Sequence, residues 1–345
     1  MLGKCSLKEY NTIDVLKFVL SVFVMLIHSG IDKTILSPLL RIAVPLFFIV
    51  SAYFFFSKAR NSPDRAVKRK MLKRFVERNV LLYLFWAVLQ APLLIFMRGY
   101  QNDFFYSGAV SIVKDIIVGD GFTGSWYIIA SVLAMLLLSI CSKYASAGLM
   151  LIITFPLYVF GVLVTNYSCL LGTESTVMQL GAGYHAITGQ YYNTSLPIAL
   201  FWMSIGRFMA EVDIQLDKRV LWPLLIISGA LLAAERCITL LFGKPEMDDC
   251  YFMLALFCPL LMLLILNNNT SFSSAFRFRE ISVIAYVSHG TCERIVGFLL
   301  KMLPFSRYQS NLVKVAISLA LIVVFGHILV ILRGKHHIKL LKYAF

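Results

Sequence analysis

Charge is scarce in this sequence. Only 14% of the 345 residues are charged and 59% are hydrophobic, where a soluble domain carries about 25% and roughly 45–50%. A mean hydropathy of +0.79 leaves too little polar surface to cover a water-soluble globule of this size. The shortage excludes a soluble enzyme and predicts a chain solvated by lipid. Acidic residues are the scarcest, 18 against 32 Lys and Arg, for a net charge of +14. The cations fall in short stretches between apolar runs, which orients a membrane protein rather than binding nucleic acid. None of the seven cysteines forms a Cys-x-x-Cys pair, so neither a metal knuckle nor a disulfide framework is expected. They read as small buried hydrophobes, with a Cys169–Cys250 bridge left open. A Walker A loop, a His-Glu-x-x-His helix and a Gly-x-Ser-x-Gly elbow are also absent. No metal is expected. The first apolar run follows Lys4 and Lys8 but is long, carries Lys17 and His28 and lacks a small-residue cleavage site. It reads as a retained helix. Linkers, low-complexity tracts and repeats are missing, which leaves residues 1–345 as one transmembrane domain.

Long apolar runs are what the chain has in quantity. They cover roughly 12–30, 36–57, 77–97, 125–142, 147–166, 195–211, 220–242, 250–267, 281–303 and 311–332. A spanning helix needs about 20 mainly apolar residues, so the fold class is an all-α polytopic bundle of about ten transmembrane helices. The stretch Lys58–Arg78 holds nine basic residues, which marks the loop between the second and third helices as cytoplasmic. Alternation then puts both termini inside, with most other basic residues on that face. The loop from Lys301 to Lys314 is the discordant one, outside yet basic. Residues 107–118 read as an interfacial half-helix. The outer loop 166–194 has no Lys or Arg, and its Gly181, Gly183, Tyr184, His185 and Gly189 suggest a re-entrant or surface loop.

Charge at membrane depth costs about 2.5–3.5 kcal/mol per residue on insertion scales, so the few ionisable residues inside the runs are the candidates for function. Helix 1 carries Asp14 and Lys17, close enough in spacing to pair, and then His28. Eleven residues is close to three turns, so Lys17 and His28 share a helix face about 16 Å apart. A snorkelling lysine and a boundary histidine is the plainer reading. Arg41 sits at the outer boundary one turn before Pro45, suited either to clamping an anion or to anchoring the helix end. His289 and Glu293 stand four apart and can hydrogen-bond on one face. Glu235 and Arg236 are adjacent, share no face and need other partners. Trp126-Tyr127 opens a helix on the outer side, where an aromatic belt is the ordinary explanation.

Taken together these residues resemble the bacterial acyltransferase family 3. Its hallmark is a basic residue, ten residues and a histidine in the first transmembrane helix. Lys17 and His28 match it, preceded by Ile13-Asp14. An arginine before Val-Pro-x-Phe-Phe and a Ser-Gly-Tyr-like triplet is matched by Arg41, Val44-Pro45, Phe47-Phe48 and Ser51-Ala52-Tyr53. Lys73-Arg74 leading into Tyr83 and Trp86, the Trp126-Tyr127 pair and Tyr286-x-x-His289 add weaker matches. Lysine at position 17 replaces the usual arginine and Ala52 the commoner glycine.

The resemblance implies transfer of an acyl group, usually acetyl, from cytoplasmic acetyl-CoA to a hydroxyl of a cell-surface glycan or lipid-linked saccharide. The location it implies is a multi-pass protein of the inner membrane. It implies His28 as general base, Arg41 as partner of the developing oxyanion or of His28, and Lys17 with Asp14 as the donor-steering pair. His289, Trp126, Tyr127 and Glu293 become acceptor-side candidates. A covalent acyl-histidine stays open beside direct transfer. Two other classes remain: a transporter or flippase without chemistry, and a membrane module of amino-acid handling or sensing, of the kind that serves a fused soluble domain. The chain reaches Phe345 without such a domain, so transfer is expected to finish in the bundle or on a separate partner.

Overall fold

A computed structural model describes residues 11–30, 36–62, 64–101, 115–116, 119–212, 214–243, 245, 247–268, 276–302, 311–336 and 343–345. Lys4, Cys5 and Lys8, most of the expected half-helix at 107–118 and the interior of the basic loop between Lys301 and Lys314 lie outside the described residues. Among the described residues every regular element is helical. In chain order they are α1 (Asn11–His28), α2 (Ser37–Leu40), α3 (Ala43–Arg60), α4 (Arg65–Gln101), α5 (Trp126–Cys141), α6 (Ala147–Val164), α7 (Ser168–Leu171) and α8 (Thr176–Thr188). After a 3₁₀ turn at Tyr192–Thr194 come α9 (Leu196–Val212), α10 (Lys218–Leu241), α11 (Leu254–Asn267), α12 (Phe278–Met302) and α13 (Asn311–His336).

Each expected apolar segment carries a helix, with three departures. Segment 36–57 is split at Arg41-Ile42. Pro45 has no N–H to return to the Arg41 carbonyl and its ring crowds that carbonyl, so α2 stops and α3 starts afresh. Of the basic stretch expected as a loop, Lys58 and Arg60 end α3 and residues 65–78 open α4, which is 37 residues long and about 55 Å in length. Lys, Arg and Glu favour helix, and Asp64 starts it by accepting the Ala66 N–H at 2.8 Å. Segment 250–267 begins its helix only at Leu254, leaving residues 247–251 as a non-helical strap. The glycine-rich loop expected on the outer side holds α7 and α8. Ser175 caps α8 through the Met178 N–H, and Gly189, at φ +72°, ends it in the left-handed region.

Among the described residues, four stretches are by length and composition long and apolar enough to cross a membrane: Ser37–Arg60, Ala147–Val164, Lys218–Leu241 and Asn311–Arg333. Trp126–Cys141 and Leu254–Asn267 are apolar but shorter. Large apolar side chains remain uncovered along the outward faces of α6 (Ile152, Ile153), α10 (Ile226, Ile227) and α13 (Val324, Ile328). An exposed apolar band of this kind calls for lipid, and the chain is a helical membrane protein. Inside the band, α9 packs on α3, α5 and α6, while α12 packs on α1 and α13.

The α3–α9 contact is the tightest. A Cβ at Gly206 would press on the Ile49 carbonyl and lie 2.8 Å from the Ala52 Cβ. Gly206→Ala therefore forces these helices apart, at about 1–3 kcal/mol for overpacking. The expected result is a lower melting temperature in detergent, and an unchanged one would show that the helices can yield without loss.

Candidate functional site

His28 is the last residue of α1 and is exposed there. Its ring lies against that of His289, with centroids 4.9 Å apart and planes at 35°. His289 is wholly buried on α12. Its Nδ1 is 2.6 Å from the Tyr286 carbonyl. A carbonyl only accepts, so Nδ1 carries the proton and Nε2 keeps its lone pair. Tyr286 in turn donates to the Gly124 carbonyl at 2.8 Å, tying α12 to the start of α5. The expected His289–Glu293 hydrogen bond does not form. The Tyr286 carbonyl, one turn back, takes Nδ1, and Glu293 reaches Lys314 of α13 at 3.7 Å.

Arg41, at the break between α2 and α3, forms an ion pair with Asp249 of the strap. Asn193, from the 3₁₀ turn before α9, donates to the other oxygen of Asp249. The neighbouring Asp248 meets Arg236 at 2.9 Å and accepts from the Ser37 hydroxyl at 2.7 Å and from Tyr251. Glu235 accepts the N–H groups of Phe252 and Met253 at 2.7 and 2.8 Å, supplying the anion that the first turn of α11 favours. The adjacency of Glu235 and Arg236, uninformative on a helical wheel, lets α10 grip the strap at two successive points.

His28, Arg41, Trp126, Asn193, Trp202 and Asp249 border one cavity of about 170 Å³. Cys250 also borders it, but burial pushes its thiol up, away from the nucleophilic thiolate. Cys169 and Cys250 are free thiols, so the bridge left open by the sequence is not made. Below the cavity the motif aromatics pack together. Phe48 and Tyr127 rings lie 4.5 Å apart, Tyr127 and Tyr286 5.4 Å apart, and the Tyr127 hydroxyl is 3.3 Å from Ser51 Oγ. Segments widely separated in the chain thus meet around His28.

Lys17 sits three turns along α1 at the opposite end of the same helix. The charges that act on it are Asp14, Arg279 and Arg78, and Arg78 feels Arg279 and Arg333 as well. Arg78 and Arg279 thus lie within electrostatic reach of Lys17, and Arg333 within reach of Arg78. Among the described residues no group of three or more His, Cys, Asp or Glu is placed to hold a metal.

Sequence reasoning singled out His28, Arg41, Trp126 and His289, and the fold brings them to one end of the bundle. It passed over Asn193, Asp248 and Asp249, and over Arg78 and Arg279. The Asp-Asp pair had one available signal: adjacent acids are conspicuous in a chain this short of them.

The structure is thus a lipid-facing helical shell around a small, largely apolar cavity with His28, Arg41 and Asp249 at its wall. The chain belongs to acyltransferase family 3. The family profile, described as an acyltransferase domain, matches residues 10–331 and so takes in the whole cavity. An amino-acid racemase of Enterococcus faecalis is 21% identical over 217 residues, covering 59% of this chain and 28% of the racemase. The chain thus spans about 28% of that curated relative's length. No solved structure matches.

Proposed function

We propose that this membrane acyltransferase moves an acyl group, acetyl in the simplest case, from cytoplasmic acyl-CoA to a hydroxyl of a surface glycan or lipid-linked saccharide. In this reading ten helices cross the inner membrane with both termini inside. The observation that carries it is the polarity of α1. One end holds Lys17 within electrostatic reach of Arg78 and Arg279, a setting that suits a polyphosphate. The other presents His28 to a cavity shared with Arg41.

His28 takes the proton of the acceptor hydroxyl as its oxygen bonds to the thioester carbonyl carbon. Arg41 faces the oxygen that becomes negative. The carbon–sulfur bond then breaks, and CoA leaves as the thiol with the proton that His28 held. An acyl-imidazole on His28, relieved by the acceptor in a second step, satisfies the same arrangement. His289 orients His28 through their ring contact, while Trp126 lines the acceptor side and Tyr127 supports it from beneath against Phe48; Glu293, paired with Lys314, stands apart from the cavity.

The deciding experiment is release of free CoA from acyl-CoA by the purified protein in vesicles, dependent on added glycan acceptor. Solute flux with no CoA release would make the chain a transporter instead. The racemase relative supports a second reading, in which the cavity takes a small amino acid, carboxylate to Arg41 and ammonium to Asp249. Amino-acid uptake without CoA release would favour it.

Lys17 carries a further prediction. Lys17→Arg retains the donor KM, whereas Lys17→Met raises it about tenfold through loss of one charge-assisted contact. Equal KM values in all three proteins would remove Lys17 from donor binding.

A further inference from the structure

The geometry points to Asp249 as a positioning residue that acts on the reaction through Arg41, with Asn193 holding Asp249 in turn. This rests on the acyl-transfer reading and assigns parts to two residues outside every motif that led to it.

An arginine side chain is long and has many rotamers, yet a group that stabilises a transition state must be held to within about half an ångström. Arg41 stands at a helix break, as the C-cap of α2. Asp249 supplies the constraint from across the bundle. Its two oxygens are divided, Oδ1 to Arg41 Nη1 and Oδ2 to Asn193 Nδ2, so the carboxylate plane is set by two elements at once. A guanidinium has more N–H donors than one carboxylate oxygen uses, so Arg41 can be oriented by Asp249 and still face the reacting oxygen.

A purely structural role is the competing explanation, and two observations weigh against it. The Arg41 and Asp249 side chains retain 15% and 26% of their exposure and both border the cavity, so the pair opens onto the site and is not sealed between helices. The strap is also anchored without Asp249. Arg236, Ser37 and Tyr251 hold Asp248, and Glu235 holds the backbone of Phe252 and Met253. Between these anchors, Asp249 is the acid that borders the His28 cavity.

The test uses the full-length protein in vesicles with acyl-CoA and a glycan acceptor. Asp249→Asn keeps the shape of the side chain and removes its charge. Its kcat is expected to fall on the order of 100-fold, the scale of a displaced catalytic group, with both KM values within about twofold of wild type. Asn193→Ala frees one oxygen of Asp249 and costs about tenfold in kcat. Because Asp249 acts through Arg41, Asp249→Asn adds nothing in an Arg41→Met background. Wild-type kcat in folded Asp249→Asn, or losses that multiply in the double variant, would overturn the inference. If Asp249→Asn does not fold, Asn193→Ala alone and with Arg41→Met decides on the same criteria. Absence of CoA release from the wild type overturns the acyl-transfer reading and this inference with it. Wild-type release matched by Asp249→Asn overturns this inference alone.

Discussion

His28→Ala is expected to lower acyl transfer by a factor on the order of 10²–10⁴, the range for loss of a general base, while the protein still folds. The separation of the two effects follows from where the residue sits. His28 ends α1 and is exposed, so alanine leaves no packed cavity behind it, whereas its imidazole borders the cavity that Arg41 and Asp249 also border. His289 cannot take over. Its Nδ1 is committed to the Tyr286 carbonyl and its ring is fully buried. The measurement is mass spectrometry of surface glycans from cells making each protein at matched level, with CoA release as the purified counterpart. Retained acetylation at wild-type expression would remove His28 from the chemistry. The same variant separates the two chemical routes. Labelled donor without acceptor leaves label on wild type and none on His28→Ala if an acyl-histidine forms, and labels neither if transfer is direct.

Arg41→Met is expected to cost on the order of 10²–10³ in kcat, the scale seen when one oxyanion donor is removed, and Arg41→Lys to recover only part of it. Lysine keeps the charge but not the planar fork that answers Asp249 and the reacting oxygen together. Methionine also leaves Asp249 facing a cavity without its cation, so some loss could come from that carboxylate. Arg41→Met combined with Asp249→Asn removes the stranded charge. If activity returns toward wild type in the combination, Arg41 neutralises Asp249 and does not stabilise the oxyanion. If it stays low, the catalytic assignment holds.

Some of this architecture is legible in the chain because it is local. Apolar runs give helices where they occur, since within lipid the backbone must bond to itself. Pro45 cuts a run for reasons contained in its own ring. The loop assigned to Lys58–Arg78 failed where two local rules competed. The positive-inside rule speaks of which side a segment lies on and not of its conformation, and residues rich in Lys, Arg and Glu continue a helix readily. The strap failed differently. Tyr251, Phe252 and Met253 are apolar enough to extend the run, but Glu235 takes the N–H groups of Phe252 and Met253 from another helix and the first turn of α11 starts beyond them.

What the sequence determined by itself is membrane residence, the helical segments and the alignment of Lys17 with His28, because hydropathy and a rise of about 1.5 Å per residue suffice for those. What only the tertiary structure decided is which polar groups meet: His28 with His289, Arg41 with Asp249, and Asp249 with Asn193. Each meeting joins elements far apart in the chain. A buried or half-buried charge takes whatever partner the packing brings within reach, and spacing along one helix carries no record of what stands across from it.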